Sequence, residues 1–149
     1  MNNLLQTDIG SYIVLGVLLA VIIYIAVMKN VETRRILSKY DEKDILLLSL
    51  GVFFYGTEKT VRKPRYIAGA IALTKTEIFF QRRLLPFSVT IPLSSVRSVG
   101  VSDTFMDQPA YSNIVVLSFN DPVRGADKAG FKIPHPDKWI QGIRTYLDS

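Results

Sequence analysis

The sequence predicts a single transmembrane α-helix joined to a mainly-β domain that closes on a second, amphipathic helix. Three observations carry that prediction. Residues Ile9 to Met28 run twenty positions without a charge, between Asp8 and Lys29, and average about +2.6 on a standard hydropathy scale. From Gly51 onward the apolar pattern breaks into about seven short β-prone segments. After Pro134-His135-Pro136, residues Trp139, Ile143, Tyr146 and Leu147 recur at i, i+4, i+7 and i+8, one stripe of a helix. The 48% hydrophobic content of the 149-residue chain is concentrated in the first run. The remainder is an ordinary globular domain of roughly 100 residues. This excludes a wholly soluble protein, a multi-span transporter and a disordered chain.

Twenty helical residues at 1.5 Å each span about 30 Å, the thickness of a bilayer's hydrocarbon core. Tyr12 stands near one end, where its ring can reach the headgroups. A cleaved signal peptide fits poorly. Met1 to Asp8 holds no Lys or Arg, and no small-x-small triplet precedes Lys29, the nearest being Ala26-Val27-Met28. The expected organisation is an extracytoplasmic tail over 1–8 and an uncleaved single-pass anchor over 9–28. Lys29, Arg34, Arg35 and Lys39 all follow the run. The positive-inside rule therefore places the N-terminus outside the cell membrane and the rest of the chain in the cytoplasm. Gly16 and Ala20 have the small-xxx-small spacing that admits a close helix partner.

Residues 29–50 read as a juxtamembrane helical connector. Ile36, Tyr40 and Leu47 can share a helix face, Ser38-Lys39-Tyr40-Asp41 resembles a capping box, and Gly51 suits a helix stop. The connector is short and not Gly/Ser-rich, which keeps the domain close to the bilayer.

The domain is expected over 51–149. Its strands begin with Val52 to Tyr55, Ile67 to Leu73 and Glu77 to Gln81, the last after a turn at Thr74-Lys75-Thr76. Ser88 to Leu93 alternates strictly, and Pro92 assigns it to a sheet edge. Val96 to Val101, Ile114 to Phe119 and Gly130 to Ile133 follow. Pro136 suits the first turn of the closing helix, and Asp137 suits the positive end of its dipole.

The succession Ala70-Ile71-Ala72-Leu73-Thr74, Glu77-Ile78-Phe79-Phe80, then Ile91-Pro92-Leu93-Ser94-Ser95-Val96-Arg97-Ser98-Val99 and the Trp139 helix resembles a bacterial pleckstrin-homology-like (PH-like, GRAM-like) domain. The resemblance covers about residues 46 to 147. It implies a bent seven-stranded antiparallel barrel capped by a C-terminal α-helix. Immunoglobulin-like and lipocalin-like folds are the alternatives, and neither normally ends in such a helix.

No catalytic set emerges. Gly51 to Gly56 has the glycine spacing of a phosphate loop, but Thr57 and Glu58 stand where Lys and Ser/Thr belong. His135 is the only histidine and the chain has no cysteine, which excludes disulfides and thiolate metal sites. Asp103, Asp107, Asp121 and Asp127 are spaced as turn residues rather than as a metal loop. Neither a cofactor nor a metal is expected, and the chain reads as non-enzymatic.

Two features remain. Lys59, Arg62, Lys63 and Arg65 cluster between the first two strands, and Arg82 and Arg83 follow the third. In lipid-binding relatives of the resembled superfamily the first inter-strand loop grips headgroups. These six residues are therefore candidates for an anionic phospholipid headgroup or for a partner, although a basic surface beside a membrane also follows from topology alone. Phe105, Met106 and Tyr111 load a connection with apolar area, either packed beneath it or exposed as a contact patch. Nucleic acid is not expected, since the net charge is only +5 and no recognition motif is present. An anchored domain does not need lipid affinity to reside at a membrane. The leading expectation is thus docking of a membrane-protein partner or complex, with headgroup binding as the alternative.

Overall fold

A computed structural model describes residues 2–149, with side chains from residue 9 onward. Helix α1 (Asn2–Lys39) absorbs all of the expected tail but Met1, which lies outside the described residues. From Ile9 it is long and apolar enough to cross a membrane. Through the uncharged run its apolar side chains point outward on every side, as at Leu15 and Ile22, which suits a lipid solvent.

A single 3-10 turn (Glu42–Asp44) leads into β1 (Ile45–Thr57). Strands β2 (Ile67–Thr74), β3 (Glu77–Arg82), β4 (Ser88–Pro92), β5 (Val96–Phe105), β6 (Gln108–Asp121) and β7 (Gly125–Lys132) follow, and α2 (Pro136–Leu147) ends the chain. All neighbours pair antiparallel in one seven-stranded sheet of order β4-β3-β2-β1-β7-β6-β5. The sheet is open, and Pro92 lies on its β4 edge as expected.

The helical reading of 45–50 does not hold, and the domain begins at Ile45 rather than Gly51. The Leu46-Leu47-Leu48 run has helix propensity, but in a strand it serves two faces at once. Leu47 packs into the main core, whereas Ile45, Leu48 and Leu50 pack around Ile36 of α1. Ser38 caps nothing: its hydroxyl bonds back to the Arg35 carbonyl at 2.7 Å. Gly51 is not a helix stop but a bulge at φ +67, where the register with β2 shifts between Ser49 and Val52. That bend lets one strand pair with β2 through its first part and with β7 through its last.

The core gathers Phe54, Phe80 and Phe131, with Phe54 and Phe131 4.9 Å apart between ring centres. Helix α2 closes it with Trp139, Ile140 and Ile143, and the indole Nε1 donates to Ser49 Oγ at 2.9 Å. Tyr146 is half exposed, and Ile140 takes the place expected of it. Trp139, Ile143 and Leu147 of the expected stripe all pack on the core.

Candidate functional site

Three connections meet at one end of the sheet: β1–β2 (58–66), β3–β4 (83–87) and β6–β7 (122–124). The first is held by its backbone. Thr60 and Val61 N–H groups return to the Thr57 carbonyl at 3.1 Å, and Arg65 N–H reaches Tyr55 O at 2.8 Å. It is tied to β6–β7 by Lys59, whose amide donates to Asp127 Oδ1 at 3.1 Å and whose ammonium donates to the Arg124 carbonyl. Asp121 shapes the third turn by accepting the N–H groups of Val123 and Arg124 at 2.8 Å. Those bonds, that of Arg124 first, hold its carboxyl below the usual range. The second connection closes where Arg82 N–H donates to Phe87 O at 2.9 Å.

Between these loops lies a cleft of about 360 Å³ with an apolar floor that includes Phe54, Val89 and Ile91. Arg65 from the first connection, Arg82 from the end of β3 and Arg124 from the third connection line its walls, beside the hydroxyls of Thr57, Thr60 and Ser88. Asp121 and Asp127 also line it, but each has an oxygen engaged by backbone N–H groups. Such an arrangement can hold a compact anion with guanidinium forks on three sides.

The six basic candidates part company. Arg65 and Arg82 reach the cleft; Arg62 and Lys63 are exposed outside its lining; the Lys59 ammonium is tied to Arg124. Arg83 turns away and pairs through Nε with Glu32 of α1, a carboxylate only 3% exposed. It is thus a structural partner of α1 rather than a residue of the cleft. Arg124 escaped sequence reasoning because it stands apart from any basic cluster, with Lys128 four positions away and Asp121 and Asp127 on either side. The only signal was the turn implied by Asp121-Pro122 and Gly125.

The apolar trio does not form one patch. Phe105 is buried with Tyr55, Ala110 and Ile114, Met106 packs partly against them, and Tyr111 is fully out in solvent. The expected loop is a hairpin whose two turn residues, Met106 and Asp107, have φ of 53 and 60. Turns of that twist normally carry Asn-Gly or Asp-Gly, so the sequence concealed this one. The glycines of the phosphate-loop lookalike lie inside β1, and His135 is exposed at the start of α2. Among the described residues no group of three or more His, Cys, Asp or Glu is placed to hold a metal ion.

The cleft has a fixed relation to α1. Beyond the apolar run α1 packs over β1 and β2 and reaches β3 with its side chains, running opposite to β3. Tyr40 donates to Glu77, Lys39 Nζ sits 3.8 Å over the Phe79 ring, and Ile36 is fully buried against Ala70, Ala72 and Phe79. Glu32 then meets Arg83, whose carbonyl accepts from Arg35 Nη1 at 2.8 Å. Following α1 back toward its apolar run therefore leads to the β3–β4 connection and the mouth of the cleft.

The fold is that of an open seven-stranded antiparallel sheet closed by a C-terminal helix, carried on a long apolar helix. No protein-family model matches the chain, and no curated protein does. Among solved structures it is similar to a chain of "The 8S snRNP Assembly Intermediate", with 9% identity, a TM-score of 0.51, and coverage of 72% of this chain and 81% of that one. At that identity the likeness concerns the fold alone.

Proposed function

We propose that the protein is a non-enzymatic, single-pass membrane module. In this reading its N-terminus lies outside, and its PH-like domain, a bent barrel closed by α2, sits on the cytoplasmic face of the cell membrane. The three-loop end of that domain engages anionic phospholipid headgroups. The strand order and terminal helix support the PH-like reading, and the one-sided basic flank from Lys29 to Lys39 supports the orientation. The carrying observation is the convergence of Arg65, Arg82 and Arg124 on one cleft, at the end nearest the apolar run of α1. Since the anchor already secures residence, headgroup contact serves to orient the domain or to sense lipid composition.

The test is a titration of the detergent-solubilised full chain with soluble short-chain phospholipids. At about 1 kcal/mol per basic residue, Arg65→Gln, Arg82→Gln and Arg124→Gln together weaken binding of the anionic lipid by roughly 100-fold. Equal affinity for a zwitterionic lipid, or an unaffected triple variant, refutes the reading. A C-terminal reporter active only outside the cytoplasm refutes the orientation.

A protein partner is the second reading, supported by the β5 edge. β5 is an edge strand with no further strand beyond it; α2 packs against it, with Arg144 Nη2 3.5 Å from Val99 O, and its remaining edge can accept an extended peptide. A stoichiometric membrane partner that co-purifies with the full chain and is lost on Val101→Pro makes this reading the leading one.

A further inference from the structure

The β3–β4 connection, Leu84-Leu85-Pro86-Phe87, is apolar in a position where hairpins ordinarily carry polar residues. Phe87 stacks on Phe54, its ring 6.3 Å away, and stays 39% exposed. Leu84 and Leu85 are more so, at 69% and 54%. The loop is also stiff, since the Arg82–Phe87 backbone bond closes it and Pro86 fixes one of its torsions. Two large aliphatic side chains are thus held out of the domain on a rigid tip.

Their place relative to α1 identifies what covers them. Arg83, the residue before Leu84, is pinned by side chain to Glu32 and by carbonyl to Arg35. Glu32 lies one turn, about 6 Å, beyond Met28, where the apolar run ends. The bends over 83–86 carry the tip beyond Arg83 in the direction in which α1 runs back from Glu32 to Met28, which brings Leu84 and Leu85 toward the last turn of the apolar run. Tyr66 and Val123, 60% and 89% exposed, stand on the other two connections of the same end.

We propose that Leu84 and Leu85 insert into the interfacial layer of the bilayer that α1 crosses, making the β3–β4 connection a second, apolar membrane contact. The rigid α1–β3 clamp presents this tip to the membrane without any need for a particular headgroup. The inference rests on the reading that the three-loop end faces the bilayer, but not on anionic lipid, and it holds for either orientation of α1.

The chain has no cysteine, so Leu84→Cys, Arg62→Cys and Lys75→Cys each give one labelling site on the full chain. Lys75 lies in the turn at the opposite end of β3. Each variant is labelled with an environment-sensitive fluorophore and placed in nanodiscs holding nitroxide-labelled lipid, with purely zwitterionic or part-anionic composition. The expected result is a blue-shifted label at position 84, quenched severalfold more than the label at 75, in both compositions. Quenching at 62 but not at 84 overturns the inference and leaves the membrane-facing reading standing. No excess quenching at either site overturns both. Quenching at 84 only in anionic discs makes the contact a consequence of charge and overturns apolar insertion. A label at 84 that is shielded from water yet unquenched by lipid overturns it in favour of a protein that covers the tip.

Discussion

The Glu32–Arg83 pair makes a quantitative prediction about how anchor and domain are joined. Glu32 is 3% exposed and its second oxygen, Oε2, has no hydrogen-bond partner, so Arg83 is the group that compensates its charge. Removing one partner of a buried pair typically costs about 3–5 kcal/mol, because the other charge is stranded. The Arg83 side chain is 32% exposed, so water relieves part of this, and Arg83→Leu is expected to cost about 2–3 kcal/mol. Glu32→Leu leaves a guanidinium that can turn to solvent, at about 1 kcal/mol. Replacing both with leucine substitutes apolar contact for a buried ion pair and is expected within about 1 kcal/mol of the parent, against about 3–4 kcal/mol for the two single losses together, giving a coupling of about 2–4 kcal/mol. The assay is urea unfolding of the full chain in mild detergent, followed by the fluorescence of Trp139. That is the only tryptophan, and it is buried in the domain, so unfolding there also releases α1 from β3. An Arg83→Leu variant as stable as the parent, or a double variant that merely sums the single losses, refutes the account of the clamp.

Four further outcomes follow from the packing. Trp139→Ala empties the largest fully buried side chain and is expected to cost about 3–5 kcal/mol in the same unfolding assay read by circular dichroism. Ser49→Ala, which strands the indole N–H, costs about 1–2 kcal/mol. A Cβ at Gly69 would stand 2.1 Å from the Gln81 carbonyl oxygen, whereas one at Gly100 would meet nothing within 4 Å. Gly69→Ala is therefore expected to melt far below Gly100→Ala in differential scanning. Burial, then the hydrogen bond and charge of Glu77, push the Tyr40 phenol well above its usual value, and burial raises Tyr55 as well. Above a pH of about 10 the unfolded chain loses these protons while the folded chain keeps them, so stability falls as pH rises. Tyr40→Phe flattens that fall.

Much of the architecture was legible because it rests on local rules. An uncharged run of bilayer length, strict alternation from Ser88 to Leu93 with Pro92 at its end, and a helical stripe around Trp139 each state their element within a dozen or so residues. Local propensity misled where packing decided the outcome. Ile45 to Leu50 reads as helix alone, yet becomes strand because its two faces have different partners, α1 and the core. The Met106-Asp107 turn carries Asp107 but lacks the glycine that its positive φ values favour, and it exists because β5 and β6 pair right up to it.

The candidate site divides along the same line. Basic clusters are visible in a sequence, so Arg65 and Arg82 were found; Arg83 belonged to the same run but was claimed by a carboxylate 51 residues away. Arg124 joined the cleft from a turn outside any basic cluster. Outside Ile45 to Leu50, the sequence by itself determined the kinds of element, and it determined the sign of the charge, since both depend on residues near one another in the chain. Only the tertiary structure decided which charges remain free and which end of the domain α1 presents. Those depend on long-range pairing, and no pattern along the chain encodes the meeting of Glu32 with Arg83.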